Sequence, residues 1–260
     1  MERICHVHWL GLVPYEQAWE LQGKLAAEIA AGQRPATLLL LEHPHTYTFG
    51  RSGHAKNLLW NEAELARRGI AVHWVDRGGD VTYHGPGQLV GYPLLPLAPG
   101  GLRAKTENGS PRLPQADYVG YIRKLETALI KALRTFGVEG EQIPGLTGVW
   151  VRKTLEKQAG TPRLRLQPAQ KIAAIGVKVD VNGISRHGFA LNINPEMVYW
   201  EGIIGCGLED YAVTRLTDWV NAVPSMEEVR KVITTAFGEV LGYEMGEEIP
   251  SLFDTQVKSQ

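Results

Sequence analysis

Residues 171–192 read KIAAIGVKVDVNGISRHGFALN. Asn182-Gly183 sits between two β-compatible runs, Lys171 to Asp180 and Ile184 to Asn192. Asn-Gly is the strongest short-range hairpin signal, because both central positions of a two-residue hairpin turn need positive φ. Antiparallel strands joined so tightly do not belong to a doubly wound sheet, whose parallel strands need long crossovers. With helices on both sides of this hairpin in the chain, the expected class is α+β, a mixed β-sheet flanked by helices.

Working outward, Tyr15, Ala18, Leu21, Leu25 and Ile29 recur at helical spacing, with Pro14 suited to a first helical position and Gly32 to a stop. Thr37 to Leu41 reads as a buried strand, Tyr47 to Phe49 as a short run that pairs nearby, and Ala71 to Val75 as an alternating strand. Asn61 with Glu64, and later Ser225 with Glu228, mark helix starts. Asp80 to His84 and Gln88 to Leu94 read as strands around the turn Gly85-Pro86-Gly87. The stripe Tyr118, Ile122, Leu125, Leu129, Ala132 and Phe136 predicts a long helix ended by Gly137, and 146–151 a strand. Residues 99–114 and 153–170 are polar or rich in Pro and Gly and read as loop insertions.

The chain has 260 residues, 44% apolar and 21% charged, with a net charge of −1. These values describe a globular protein and give no basic footprint for nucleic acid. Two cysteines, Cys5 and Cys206, cannot build a disulfide framework. The first residues carry no apolar core of signal-peptide length, and the longest clear apolar run is Leu38 to Leu41. The expected setting is the cytoplasm, with no membrane and no nucleic-acid partner.

Three stretches carry chemistry. The first is Arg77-Gly78-Gly79-Asp80-Val81-Thr82-Tyr83-His84-Gly85-Pro86-Gly87-Gln88. Its glycines let backbone pass close to a ligand while Arg, Thr, Tyr, His and Gln supply donors; a plain Gly-rich hairpin fits the composition equally well. It is neither a Walker loop nor a dinucleotide fingerprint. In the second, Lys171 heads the small apolar run Ile172-Ala173-Ala174-Ile175-Gly176. A buried lysine is a candidate for proton transfer, and a strand-end lysine snorkelling to water is the bland alternative. The third is His187-Gly188-Phe189-Ala190-Leu191-Asn192 followed by Gly205-Cys206-Gly207. Flanking glycines leave Cys206 open to approach as a thiol nucleophile, against the ordinary role of a lone cysteine as a small core hydrophobe. Cys5, in an alternating N-terminal strand, reads as structural. The eight histidines form no H-E-x-x-H or similar pattern, and no metal or other cofactor is expected.

Together these stretches resemble the lipoyl(octanoyl) transferase family. Arg77 to Gln88, running on to Tyr92, is similar to that family's signature, as are Leu41-Glu42-His43-Pro44, Tyr47-Thr48-Phe49-Gly50, Lys171-Ile172-Ala173, Gly188 to Asn192 and Cys206-Gly207, in the family's order. The family usually has Pro before its cysteine, where this chain has Gly205.

The resemblance implies a fold like the biotin/lipoate protein ligase catalytic domain, with residues 1–260 as one acyltransferase domain. It implies transfer of octanoyl from octanoyl-acyl carrier protein, through a Cys206 thioester, to a lysine of lipoyl domains. These are the lipoyl domains of 2-oxoacid dehydrogenase E2 subunits and the glycine cleavage H protein. Cys206 and Lys171 are the implied catalytic residues, Lys171 holding the thiolate as an ion pair and moving protons, with backbone N–H groups near Cys206 and Gly207 for the oxyanion. Arg77, Gly78, Gly79, Asp80, Val81, Thr82, Tyr83, His84, Ala174, Ile175, Gly176, Gly188, Phe189 and Ala190 are the implied substrate-binding residues. Two alternatives are an ATP-dependent lipoate or biotin ligase of the same fold and a non-catalytic acyl or carrier-protein binding module. Asp80 is unwelcome beside phosphates, and neither alternative needs Cys206.

Overall fold

In β2 (Ala36–Glu42) the run of leucines is buried throughout. Leu38 and Leu40 point into one core, Leu39 and Leu41 into another, as strand alternation requires when both faces of a sheet are covered. The structure is a computed structural model and describes residues 3–98, 117–153, 167–205 and 212–250. β2 lies inside an eight-stranded sheet with β1 (Ile4–Leu12), β6 (Gln88–Leu94), β7 (Gly140–Ile143), β8 (Leu146–Val151), β9 (Gln170–Val179), β10 (Ser185–Asn192) and β11 (Glu244–Pro250). The strand order is β11-β1-β2-β6-β10-β9-β8-β7. β1 runs parallel to β2 and β11, and the remaining pairs are antiparallel, so the sheet is mixed.

Helix α1 (Tyr15–Ala30) covers one face with Ala18, Leu25 and Ile29, and Pro14 stands one residue ahead of it as the N-cap. Helices α3 (Tyr118–Thr135) and α4 (Met226–Leu241) cover the other. The α3 stripe places Leu125, Leu129 and Ala132 in that core. Ser225 and Glu228 close a capping box on α4. A second, three-stranded sheet, β4 (Ala71–Trp74), β3 (Thr46–Phe49), β5 (Val81–His84), stands beside the first with the short helix α2 (Glu62–Arg67).

The hairpin of β9 and β10 is present, with Val179 opposite Ser185. Its connection is longer than a two-residue turn. The Asp180 carboxylate accepts from the N–H groups of Asn182 (2.9 Å) and Ile184 (3.1 Å), and Gly183 takes φ +80°. The turn at 85–87 differs more. β5 and β6 both form, but in different sheets: β5 pairs with β3, and β6 with β2 and β10. Gly87 accepts from the backbone N–H groups of Ile193 (3.1 Å) and Asn194 (2.9 Å), and its own N–H donates to the Glu42 carboxylate (2.6 Å). Those bonds dock the turn on other segments and carry the chain from one sheet to the other instead of folding it back. Strands β7 and β11 have too little alternation to be read from the sequence. Most of the stretches 99–114 and 153–170 lies outside the described residues, and the last residue of the second, Gln170, begins β9.

Candidate functional site

A cavity of about 460 Å³, part of it open to solvent, lies where the two sheets and α1 meet. Small residues in register cut its floor. Gly176 of β9 pairs with Gly188 of β10, and Ala174 with Ala190. A Cβ at Gly176 would stand 3.0 Å from both the Arg77 Cδ and the Gly78 carbonyl, so a side chain there would press on the chain at 77–78 where it crosses the sheet. The walls comprise Ile175 and Phe189 beside that floor, Arg77, Gly79 and Asp80 from the connection into β5, Thr82 and His84 from β5 itself, and Tyr15, Tyr92 and His187.

Alternation splits β5 into two roles. Thr82 and His84 line the cavity, whereas Val81 and Tyr83 point into a core with Tyr47, Phe49 and Ile203. Tyr83 stacks on Tyr199 at 5.5 Å between ring centroids, and its hydroxyl pairs with His45 Nδ1 at 2.8 Å. Ile203 bridges to Leu58, and the Ile204 N–H donates to the Asn57 carbonyl at 2.9 Å. Val81 and Tyr83 therefore seat the run that leads to Gly205 and do not line the cavity. Gly78 does not line it either; its N–H donates to the Val177 carbonyl at 3.0 Å. The Asp80 carboxylate accepts from the N–H groups of Val81 (2.7 Å) and His54 (3.1 Å) and from the Asn57 amide, tying down the 54–57 loop.

Arg77 is 7% exposed, and its guanidinium donates to the Thr48 hydroxyl at 2.9 Å, to the Thr48 carbonyl and to the Gly78 carbonyl. The Gln88 amide nitrogen donates to the Tyr83 carbonyl (3.2 Å) and Asn192 Oδ1 (2.8 Å), which leaves its oxygen to accept from His84 Nδ1–H at 2.8 Å. This network assigns the His84 tautomer, with Nε2 as acceptor facing the Thr48 hydroxyl at 3.4 Å. Burial, then neighbouring His43, hold His84 well below the usual histidine range, so it is neutral. Asn192 Nδ2 donates to the Thr214 carbonyl at 2.9 Å, and the Thr214 N–H to the Lys171 carbonyl at 3.0 Å.

A second polar group stands at Tyr15 and His187. His187 Nε2–H donates to Asp76 at 2.8 Å, its Nδ1 faces the Tyr15 hydroxyl at 3.4 Å, and its backbone N–H donates to Gln22 at 2.7 Å. These bonds hold His187 at φ +56°, which is uncommon for a residue with a side chain. The His187 ring N–H, followed by the Lys178 ammonium, holds the Asp76 carboxyl well below its ordinary range. Burial pulls His187 down, and Asp76 opposes it.

Lys171 is 7% exposed, with its Nζ 4.7 Å from the centroid of the Trp150 ring. Its N–H donates to the Ala212 carbonyl at 2.9 Å. Cys206 and Gly207 lie outside the described residues. Cys5 is buried in the main core, and burial pushes its thiol up to about 12. Reading the sequence missed Tyr15 and Asp76 as site residues, and noted His43, Thr48, Tyr92 and His187 without giving them a role. Polar side chains in otherwise apolar runs were the available signal. Among the described residues no cluster of three or more His, Cys, Asp or Glu could hold a metal ion, and no helix is long and apolar enough to cross a membrane.

Residues 14–238 match the family described as lipoyl protein ligase A/B catalytic domain. The chain is 41% identical over 242 residues to an octanoyltransferase of Chloroflexus aurantiacus, covering 93% of this chain and 96% of that one. It is 41% identical over 233 residues to an octanoyltransferase of Rubrobacter xylanophilus, covering 89% and 91%. In three dimensions it is similar to a bipartite lipoate protein ligase of Thermoplasma acidophilum, with a TM-score of 0.65 at 17% identity over 99% of this chain and 90% of that one. An ATP-bound lipoate–protein ligase A gives 0.64 at 16% identity over 99% and 92%. These two structures share the fold: mixed sheets flanked by helices.

Proposed function

This chain belongs to the lipoyl(octanoyl) transferase family, and from that premise we propose that it moves an octanoyl group from octanoyl-acyl carrier protein to a lysine amine of a lipoyl domain through Cys206. The recipients are the lipoyl domains of 2-oxoacid dehydrogenase E2 subunits and the glycine cleavage H protein. The observation that carries the reading is the floor of Ala174, Gly176, Gly188 and Ala190, a narrow slot suited to an alkyl chain. Ala174 and Gly176 lie on the same strand as Lys171, whose backbone is tied to residues 212 and 214, a few positions beyond Cys206 in the chain.

In the first step the Cys206 thiolate attacks the thioester carbonyl, a new C–S bond forms, and the carrier leaves as its thiol after taking up a proton. In the second, the acceptor lysine's neutral amine attacks the enzyme thioester. The amide C–N bond forms, the C–S bond breaks, and the amine gives up a proton as Cys206 returns to thiolate. The acyl group stays activated throughout, so no ATP is consumed. Lys171 has two tasks: pairing with the thiolate and passing the amine's proton on. The oxyanion of each tetrahedral intermediate falls to backbone N–H groups near Cys206 and Gly207. The histidines of the walls are neutral and the polar groups are hydrogen-bonded within the protein, and burial of the methylenes contributes roughly 0.8 kcal/mol each.

Intact mass after exposure to octanoyl-acyl carrier protein tests the reading. The expected result is one octanoyl adduct, absent in Cys206→Ala and discharged by apo lipoyl domain. Transfer by Cys206→Ala, or transfer that needs free octanoate and ATP, would overturn it.

A further inference from the structure

We infer that Tyr92 and Ala190 set the length of acyl chain that the cavity accepts, an inference that rests on the acyl-transfer reading above. The floor is graded across four adjacent strands. Ala174 of β9 is in register with Ala190 of β10, Ala190 with Val90 of β6, and Val90 with Leu41 of β2. Side-chain bulk rises along this row. In the neighbouring row the glycine pair of β9 and β10 gives way to Tyr92 of β6, which is in register with Leu39 of β2. Neighbouring strands lie about 4.8 Å apart, so the low part of the floor runs for about 10 Å before it meets β6.

Burial follows the same direction. Gly79 is exposed and Ala174, Ile175 and Gly176 are half-buried, whereas Ala190, Tyr92 and Tyr15 are buried. An alkyl chain entering over β9 therefore ends against the Tyr92 ring. That ring is held in place. Its hydroxyl donates to His43 Nε2 at 2.7 Å, and His43 Nδ1–H donates to the Val13 carbonyl at 2.7 Å. The Tyr15 ring packs against His43, at 5.1 Å between centroids. A wall anchored at both ends of this relay cannot swing aside for extra methylenes, so the limit is a fixed one.

The test compares wild type, Tyr92→Leu and Ala190→Val with acyl chains of six to twelve carbons. Two readouts are used: transfer from the matching acyl-carrier proteins to apo lipoyl domain, and thermal shift by the free fatty acids, which needs no chemistry. Tyr92→Leu is expected to raise ten- and twelve-carbon chains about tenfold relative to eight, and Ala190→Val to lower eight relative to six by a similar factor. Tyr92→Phe, which keeps the ring, retains the wild-type cutoff whatever its rate. If Tyr92→Leu fails to fold, Ala190→Val alone decides. Wild-type length profiles in the folded variants, by thermal shift as well as transfer, would overturn the inference. Length-dependent fatty-acid binding without any transfer by wild type would overturn the acyl-transfer reading and leave this one standing.

Discussion

Gln88 and Asn192, 104 residues apart, are joined by a buried hydrogen bond of 2.8 Å, and through it the cavity wall is coupled to the strand that carries Lys171. Gln88 fixes the His84 ring on one side. Asn192 holds the Thr214 carbonyl on the other, and Thr214 in turn bonds the Lys171 backbone. Every member is buried, so each bond is made in surroundings of low polarity, where leaving it unmade is costly.

Asn192→Leu keeps the volume of this link and removes its bonds. One Gln88 donor and the Thr214 carbonyl then lose their partner, at about 1–3 kcal/mol for each buried group left unsatisfied. Urea unfolding should show a loss of that order. Transfer should remain impaired at temperatures where the variant is fully folded; wild-type transfer there would remove the network from any positioning role.

Lys171→Ala is expected to slow alkylation of Cys206 near neutral pH, with recovery as pH rises and titration restores thiolate. Lys171→Arg should restore alkylation but not full turnover, because arginine keeps its charge and does not pass on a proton. Iodoacetamide labelling with pH, read by mass at each cysteine, checks both. Cys5 is an internal control, since its buried thiol stays unlabelled in the native protein. An unchanged Cys206 profile in Lys171→Ala would separate the two residues.

Stability should depend on His43. Burial lowers this ring from 6.5 to about 4. Between those values the unfolded chain binds a proton that the native state does not. The contribution is therefore complete above about pH 6.5 and is lost as pH falls toward 4, amounting to about 3 kcal/mol. Urea midpoints measured across this range should fall on acidification. His43→Gln, which does not titrate, should flatten part of that slope, and an unaltered slope would contradict a neutral buried His43.

Ser225→Ala acts far from the cavity. Loss of the α4 capping box should cost about 1 kcal/mol in thermal or urea unfolding. The rate of octanoyl transfer should stay at the wild-type value, and a reduced rate would mean that α4 communicates with the site.

Much of the local structure was written in short stretches of the chain. Ser225 with Glu228 and Asn61 with Glu64 started helices, because their side chains satisfy N–H groups only three residues away. Gly137, at φ +76°, lies just past the end of α3, where the αL region admits glycine without a steric penalty. The apolar period set which face of α3 is buried, and the run around Asn182-Gly183 placed β9 beside β10. The order of Arg77 to Gln88, Lys171 and Gly188 to Asn192 was enough to mark a resemblance to a family.

Only the tertiary structure decided which strands pair and which way their residues face. Nothing within Asp80 to Leu94 says that β5 joins β3 while β6 joins β2 and β10, because the bonds that dock the 85–87 turn come from Glu42, Ile193 and Asn194. Alternation separates Val81 and Tyr83 from Thr82 and His84, but it does not tell which pair meets the cavity. His187 finds Asp76 across 111 residues and Gln22 across 165, and such side-chain bonds leave no periodic trace in the chain. Their partners are set by how the two sheets and α1 close on one another, and that closure is a property of the packed whole.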